Sequence, residues 1–85
     1  MMEQQAASGD VLALIRSTFR DVVERPLGEL TLETLIADLG VDSVSVAEIV
    51  FRIEDALGIE VPTAEWVRVR TIVDFVDAVN RARRL

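Results

Sequence analysis

The stretch that decides the fold runs Leu39-Gly40-Val41-Asp42-Ser43-Val44-Ser45-Val46-Ala47-Glu48-Ile49-Val50-Phe51-Arg52-Ile53-Glu54-Asp55-Ala56-Leu57-Gly58. Apolar residues recur in it every three or four positions, the spacing of a helix rather than the alternation of a strand. Gly40 precedes the pattern and Gly58 ends it where helices close on a left-handed residue, so a helix is predicted over 42–57. At about 100° per residue from Ser43, the side chains of Val46, Ile49, Val50, Ile53 and Leu57 share an arc of roughly 240–340° and make the core face. Val44 and Phe51 fall elsewhere, near about 80–100°, with Glu48 and Asp55 beside them. This helix therefore has a second, smaller apolar face rimmed by carboxylates. Either the pair tucks under a neighbouring loop or it is a docking surface, since exposed apolar groups ringed by one charge sign suit a transient interface.

Working outward, Ile59-Glu60-Val61-Pro62 reads as an extended link, because a residue before proline is pushed out of helical geometry. One or two turns are expected over 63–67, with Trp66 covering the core edge or contacting a partner or cargo. A last helix begins at Thr71, with Asp74 three residues on completing an acidic capping box. It continues through Ile72, Phe75, Val76 and Val79 to Arg81, Arg83 and Arg84, cations suited to a helix C-terminus. Upstream, Val11, Leu12, Ile15, Phe19, Val22 and Val23 fall at helical spacing before Pro26 stops the run. Ser8 or Asp10 is the candidate cap of this first helix, leaving residues 1–8 as a flexible N-terminus ahead of a single domain at 9–85. Residues 26–41 are a long connection. Leu30, Leu32, Leu35, Ile36 and Leu39 are expected to pack it down, and Thr31 to cap a single turn through Leu35. The fold class is all-α, a small bundle of three to four helices with a long loop between the first two.

Eighty-five residues, 51% of them hydrophobic, make one small folding domain. Cysteine and histidine are both absent, which removes disulfides, thiolate metal sites, the commonest general base and the commonest metal ligand. No metal site or catalytic residue is expected. One tryptophan, three phenylalanines and a net charge of −6 argue against nucleic-acid and anionic-membrane partners, which need a basic footprint. The first ten residues lack the apolar run and basic start of a signal peptide. No stretch approaches the roughly 18 apolar residues of a membrane span. A cytoplasmic monomer is the expectation.

The charge is unevenly placed. Residues 29–65 carry nine acids against Arg52 alone, a net of −8, whereas residues 66–85 carry five arginines against two acids. The acidity thus coincides with the long loop and the two-faced helix, where it would steer basic partners. That coincidence favours the docking reading of Val44 and Phe51.

Ser43 opens the helix. A serine there is most often an N-cap, and without histidine it has no partner for triad chemistry. A helix N-terminus nevertheless favours bound or attached phosphate. The run Leu39-Gly40-Val41-Asp42-Ser43-Val44, the amphipathic helix after it, the Glu-Val-Pro link and the helix begun by Thr71-Ile72 together resemble an acyl carrier protein, over essentially the whole chain. The resemblance implies that Ser43 carries 4′-phosphopantetheine, transferred from coenzyme A by a separate magnesium-dependent phosphopantetheinyl transferase, with Asp42 flanking the site and helping recognition. It implies that Val44, Glu48, Phe51, Glu54 and Asp55 are read by partner enzymes with basic docking surfaces, such as an acyltransferase or ketosynthase. It places Val69 and Ile72 near the arm and its cargo. The protein would be a carrier and not an enzyme.

Two departures bear on the pathway. Ser45 is neutral where the family often has an acid, and Arg52 sets a cation on a helix where many fatty-acid carriers have a small residue. Both point to a discrete carrier of polyketide or related specialised biosynthesis rather than a fatty-acid-synthase carrier. Val41 stands where peptidyl carriers usually have a second glycine, although an aminoacyl or aryl carrier remains an alternative. The alternative of another class is a small acidic helical adaptor without a prosthetic group, in which Ser43 only caps the helix.

Overall fold

In the computed structural model the backbone is described for residues 2–24 and 26–84, and side chains for 10–24 and 26–84. Among these residues four helices form in chain order: α1 (Met2–Val22), α2 (Ser43–Leu57), α3 (Thr63–Trp66) and α4 (Ile72–Arg83), with a 3-10 turn at Ile36–Leu39. α1 packs on both α2 and α4, and α3 packs on α4. The all-α bundle is therefore as the periodicity indicates.

The core is built from one stripe per helix. Val11, Ile15 and Phe19 of α1 meet Ile49 and Ile53 of α2 and Ile72, Phe75, Val76 and Val79 of α4, all buried. The rings of Phe19 and Phe75 meet edge to face at 5.8 Å, an arrangement that aromatic quadrupoles favour. From the long connection, Leu30 and Leu39 complete the cluster.

α1 starts earlier than expected. It runs through Ser8 and Asp10, so neither is its cap; Glu3, Gln4, Gln5, Ala6 and Ala7 are strong helix formers and extend the helix upstream. The expectation of a flexible segment at residues 1–8 meets a helical backbone from Met2 onward, while the side chains of these residues lie outside the described ones.

The long connection also differs in detail. Thr31 closes a turn with Thr34 rather than capping a helical turn: Thr34 N–H donates to the Thr31 carbonyl at 3.1 Å, and Thr31 N–H to Thr34 Oγ1 at 2.9 Å. The helical piece comes later, at Ile36–Leu39, and ends on Gly40 at φ 69°, a left-handed conformation that glycine adopts without strain. Leu32 and Leu35 remain exposed instead of packing down. The reason is that, between the buried Leu30 and Leu39, residues 32–36 are anchored by backbone hydrogen bonds. Leu35 pairs with Thr71 in an isolated antiparallel bridge. Ile72 N–H donates to Thr34 O at 3.0 Å, Val73 N–H to Leu32 O at 2.9 Å, and Ile36 N–H to Arg70 O at 2.9 Å. Two of the amides left without partners at the start of α4 are thereby satisfied by the loop, and the expected Thr71–Asp74 capping box satisfies the next. On the other side, Arg16 Nε donates to Leu30 O at 2.8 Å and ties the loop to α1.

α2 ends as expected on Gly58 at φ 66°, with its N–H returning to Glu54 O. The 59–62 link has no regular secondary structure, and Val61 is buried within it.

Candidate functional site

The N-terminus of α2 is organised by Asp42, not by Ser43. Asp42 has extended backbone, and its Oδ1 accepts the Ser45 N–H at 2.8 Å, the bond of a helix N-cap. That hydrogen bond holds the Asp42 carboxyl below its ordinary value, so it is ionised at neutral pH. The reading of Ser43 as the cap is thus corrected. Ser43 is the first helical residue; its side chain is exposed, and no protein group among the described residues hydrogen-bonds its hydroxyl.

Beside that hydroxyl lies a groove of about 420 Å³ between α2 and α3. Val46, Ala47 and Val50 form its α2 wall and Phe51 and Glu54 extend it; Glu60, Val61, Thr63 and Trp66 make the opposite side. Val46 and Val50, read as core, are only half-buried, because they face this groove. Glu60, Val61 and Thr63 are groove residues that sequence reasoning did not single out. They precede or open a four-residue helix and carry no periodic signal.

Trp66 covers the core edge, the first of the two readings given for it. It is half-buried and packs edge-on to Phe75 at 4.8 Å, and its side chain also lines the groove. Val69 and Ile72 do not join this groove: Ile72 is fully buried in the core, and Val69 lines a separate polar cleft with Glu65, Arg68, Asp74, Asp77 and Arg81.

Along α2, Val44 and Phe51 are 77% and 67% exposed, so neither is covered by the long loop. Glu48 and Asp55 are exposed beside them. Arg52 does not stand as an isolated cation there; its Nη2 and Nε both donate to Glu48 Oε2, at 2.8 and 3.1 Å, in an i,i+4 pair. Glu54 has a structural task as well: its Oε2 accepts the N–H of buried Val61 at 2.8 Å and pins the 59–62 link to α2.

A hydroxyl that is exposed and unbonded, on the first turn of a 15-residue helix and beside an apolar-walled groove, fits a covalently attached phosphodiester arm. Helix N-termini favour the phosphate through backbone N–H groups and the macrodipole. No cluster of three or more histidine, cysteine or acidic groups placed to hold a metal occurs among the described residues. No helix among them is long and apolar enough to cross a membrane. The family model for a phosphopantetheine attachment site matches residues 13–79, from within α1 to within α4.

Proposed function

From the chain's membership of the phosphopantetheine-attachment family, which the match over most of its length establishes, we propose that Ser43 is the attachment residue of a discrete acyl carrier. The group itself, 4′-phosphopantetheine, belongs to the family as a whole; when bound it supplies a flexible arm whose thiol holds an acyl group as a thioester. The observation that carries the assignment to Ser43 is the capping arrangement. Asp42 takes the Ser45 amide, so the Ser43 hydroxyl is exposed and uncommitted at the helix N-terminus, beside the groove.

The chain's own residues hold, orient and present. Asp42 fixes the first turn of α2 and with it the direction of the Ser43 Cα–Cβ bond. An aspartate held below its ordinary pKa is a weak base, and the chain has no histidine or cysteine. Activation of the hydroxyl therefore falls to the separate transferase, and the protein acts as a carrier rather than an enzyme. Val44, Phe51, Glu48 and Asp55 supply an exposed apolar pair rimmed by acid, suited to partners with basic docking surfaces. Glu54 contributes from beneath, through the Val61 link. Asp42 flanks the site that the transferase must read.

For the pathway, the two departures from the fatty-acid carrier pattern, the neutral Ser45 and the presence of Arg52, support polyketide or related specialised biosynthesis over a fatty-acid-synthase role. The adaptor alternative loses its premise, since Ser43 is not the cap. The deciding experiment is intact mass after incubation with coenzyme A, magnesium and a phosphopantetheinyl transferase. The wild-type chain gains one arm and Ser43→Ala gains none. Ser43→Ala should keep its stability within about 0.5 kcal/mol, because an exposed residue without a hydrogen bond is removed. An arm on the alanine variant, or none on the wild type, overturns the assignment.

A further inference from the structure

Four residues make α3, Thr63–Trp66, and its N-cap Pro62 offers no side-chain bond. So short a helix has no stability of its own; its place is set by its tethers. Glu54 holds the link that leads into it, Trp66 rests on Phe75, and Glu65 is paired with Arg81 of α4. The last tether is a double one: Arg81 Nη2 and Nε both donate to Glu65 Oε1, at 2.6 and 3.2 Å.

Glu65 and Arg81 do not line the groove beside Ser43; they line the separate cleft next to it. Glu65 is, however, the residue directly before Trp66, and Thr63 and Trp66 form the α3 wall of that groove. Whatever moves Glu65 moves the wall. The pair is reached by water, with Arg81 half exposed and Glu65 about a third, and water-exposed pairs are weak and screened by salt. Asp74 and Asp77, on Arg81's own helix, also attract it, so a guanidinium that leaves Glu65 stays beside negative charge. The tether is thus one that can open without unfolding the domain.

We propose that the Glu65–Arg81 pair is a latch that fixes α3 against α4 and so sets how far the groove beside Ser43 covers a chain carried on the arm; the second half rests on the carrier function proposed above. Arg81 and Glu65 are positioning residues in this scheme, acting through Trp66. Trp66 is the single tryptophan of the chain and reports directly on the wall.

The test is acrylamide quenching of Trp66 emission in the full chain. In the unmodified protein, Arg81→Gln should raise the quenching constant about twofold, the signature of local opening, while far-UV dichroism and the thermal midpoint stay close to wild type. Glu65→Gln should do the same, and Arg81→Lys should remain near wild type. A charge-reversed pair is unsuitable as rescue, because it would set a carboxylate beside Asp74 and Asp77. In the phosphopantetheinyl form loaded with an octanoyl group, wild-type Trp66 should be shielded relative to the unloaded arm, and Arg81→Gln should lose half or more of that shielding. Quenching in both neutral variants equal to wild type overturns the latch. Raised quenching with undiminished octanoyl shielding overturns its control of the groove. Failure of Ser43 to accept the arm would sink the carrier reading and the cargo half of the proposal, while the unmodified comparison still decides whether α3 is latched.

Discussion

Replacing Phe51 with alanine separates the two faces of α2. Phe51 is 67% exposed, so about a third of it is removed from water. Full burial of such a side chain is worth about 1.5–3 kcal/mol, which puts the lost packing at about 0.5–1 kcal/mol. Alanine's better helix propensity returns roughly 0.5 kcal/mol in the middle of a 15-residue helix. The two nearly cancel, and for a domain of this size a residue of about 0.5 kcal/mol moves the thermal midpoint by only about 2–4 °C. A docking anchor behaves differently: truncating a central aromatic costs about 2 kcal/mol or more, which is roughly a 30-fold fall in kcat/KM for transfer to or from the carrier. Calorimetry of the unmodified chain and kcat/KM for arm attachment, with the carrier as the varied substrate, measure the two quantities. The expected result is a nearly unchanged midpoint with a large loss of kcat/KM. A fall of well over about 10 °C would mean that Phe51 is a core residue, since buried phenylalanine truncations cost about 3–5 kcal/mol. An unchanged kcat/KM would refute docking through this face.

Glu54→Ala should cost about 1–3 kcal/mol, because it strands the N–H of Val61, which is only 5% exposed. Glu54→Gln keeps an acceptor oxygen and should cost far less, so equal midpoints for the two variants would deny the Val61 bond any weight. The caps carry a pH signature. Backbone N–H donors lower the Asp42 carboxyl (from Ser45) and the Asp74 carboxyl (from Arg70 and Thr71) below 3.8, the value the free groups have. Folded-state pKa values below the unfolded ones mean stability that is fully present above about pH 4 and lost as pH falls through the folded values. The midpoint difference between wild type and the Asp42→Asn, Asp74→Asn double variant should therefore shrink on acidification below about pH 4; a difference that stays constant down to pH 2.5 contradicts this origin.

What the sequence discloses follows the range of the interaction concerned. The stripes of α1, α2 and α4, the Gly58 stop and the Thr71–Asp74 box are all local, and each is legible from residues within a few positions. The cap of α2 is local too, yet Asp42 and Ser43 are adjacent residues of nearly equal capping strength, and propensity does not choose between them. Only the bond to Ser45 does. The remaining features join distant residues. Leu35 and Thr71 are bridged, and Glu65 and Arg81 lie 16 positions apart on different helices, so no period marks them. Leu32 and Leu35 illustrate the same limit. Their apolar character suggests burial, but backbone pairing to the start of α4 holds the loop with both side chains outside.

The register of Ser43 ties these pieces together. On the α2 wheel, the core residues Ile49 and Ile53 lie about 80–120° to one side of it, and Val44 and Phe51 about 80–100° to the other. The α2 residues that wall the groove, Val46, Ala47, Val50, Phe51 and Glu54, all fall within about 80° of Ser43. The serine thus stands at the head of the strip between the buried stripe and the exposed apolar pair. An arm leaving its hydroxyl has the groove directly below it and the proposed partner face alongside. Had Ser43 been the cap, its oxygen would have been turned toward the Val46 N–H, three residues into the helix. Asp42 takes the capping bond one residue earlier, and that single step leaves the hydroxyl outward at the top of the strip. Under the proposed assignment, the acid beside the serine links local helix chemistry to function: by taking the capping bond it leaves the Ser43 hydroxyl free for attachment.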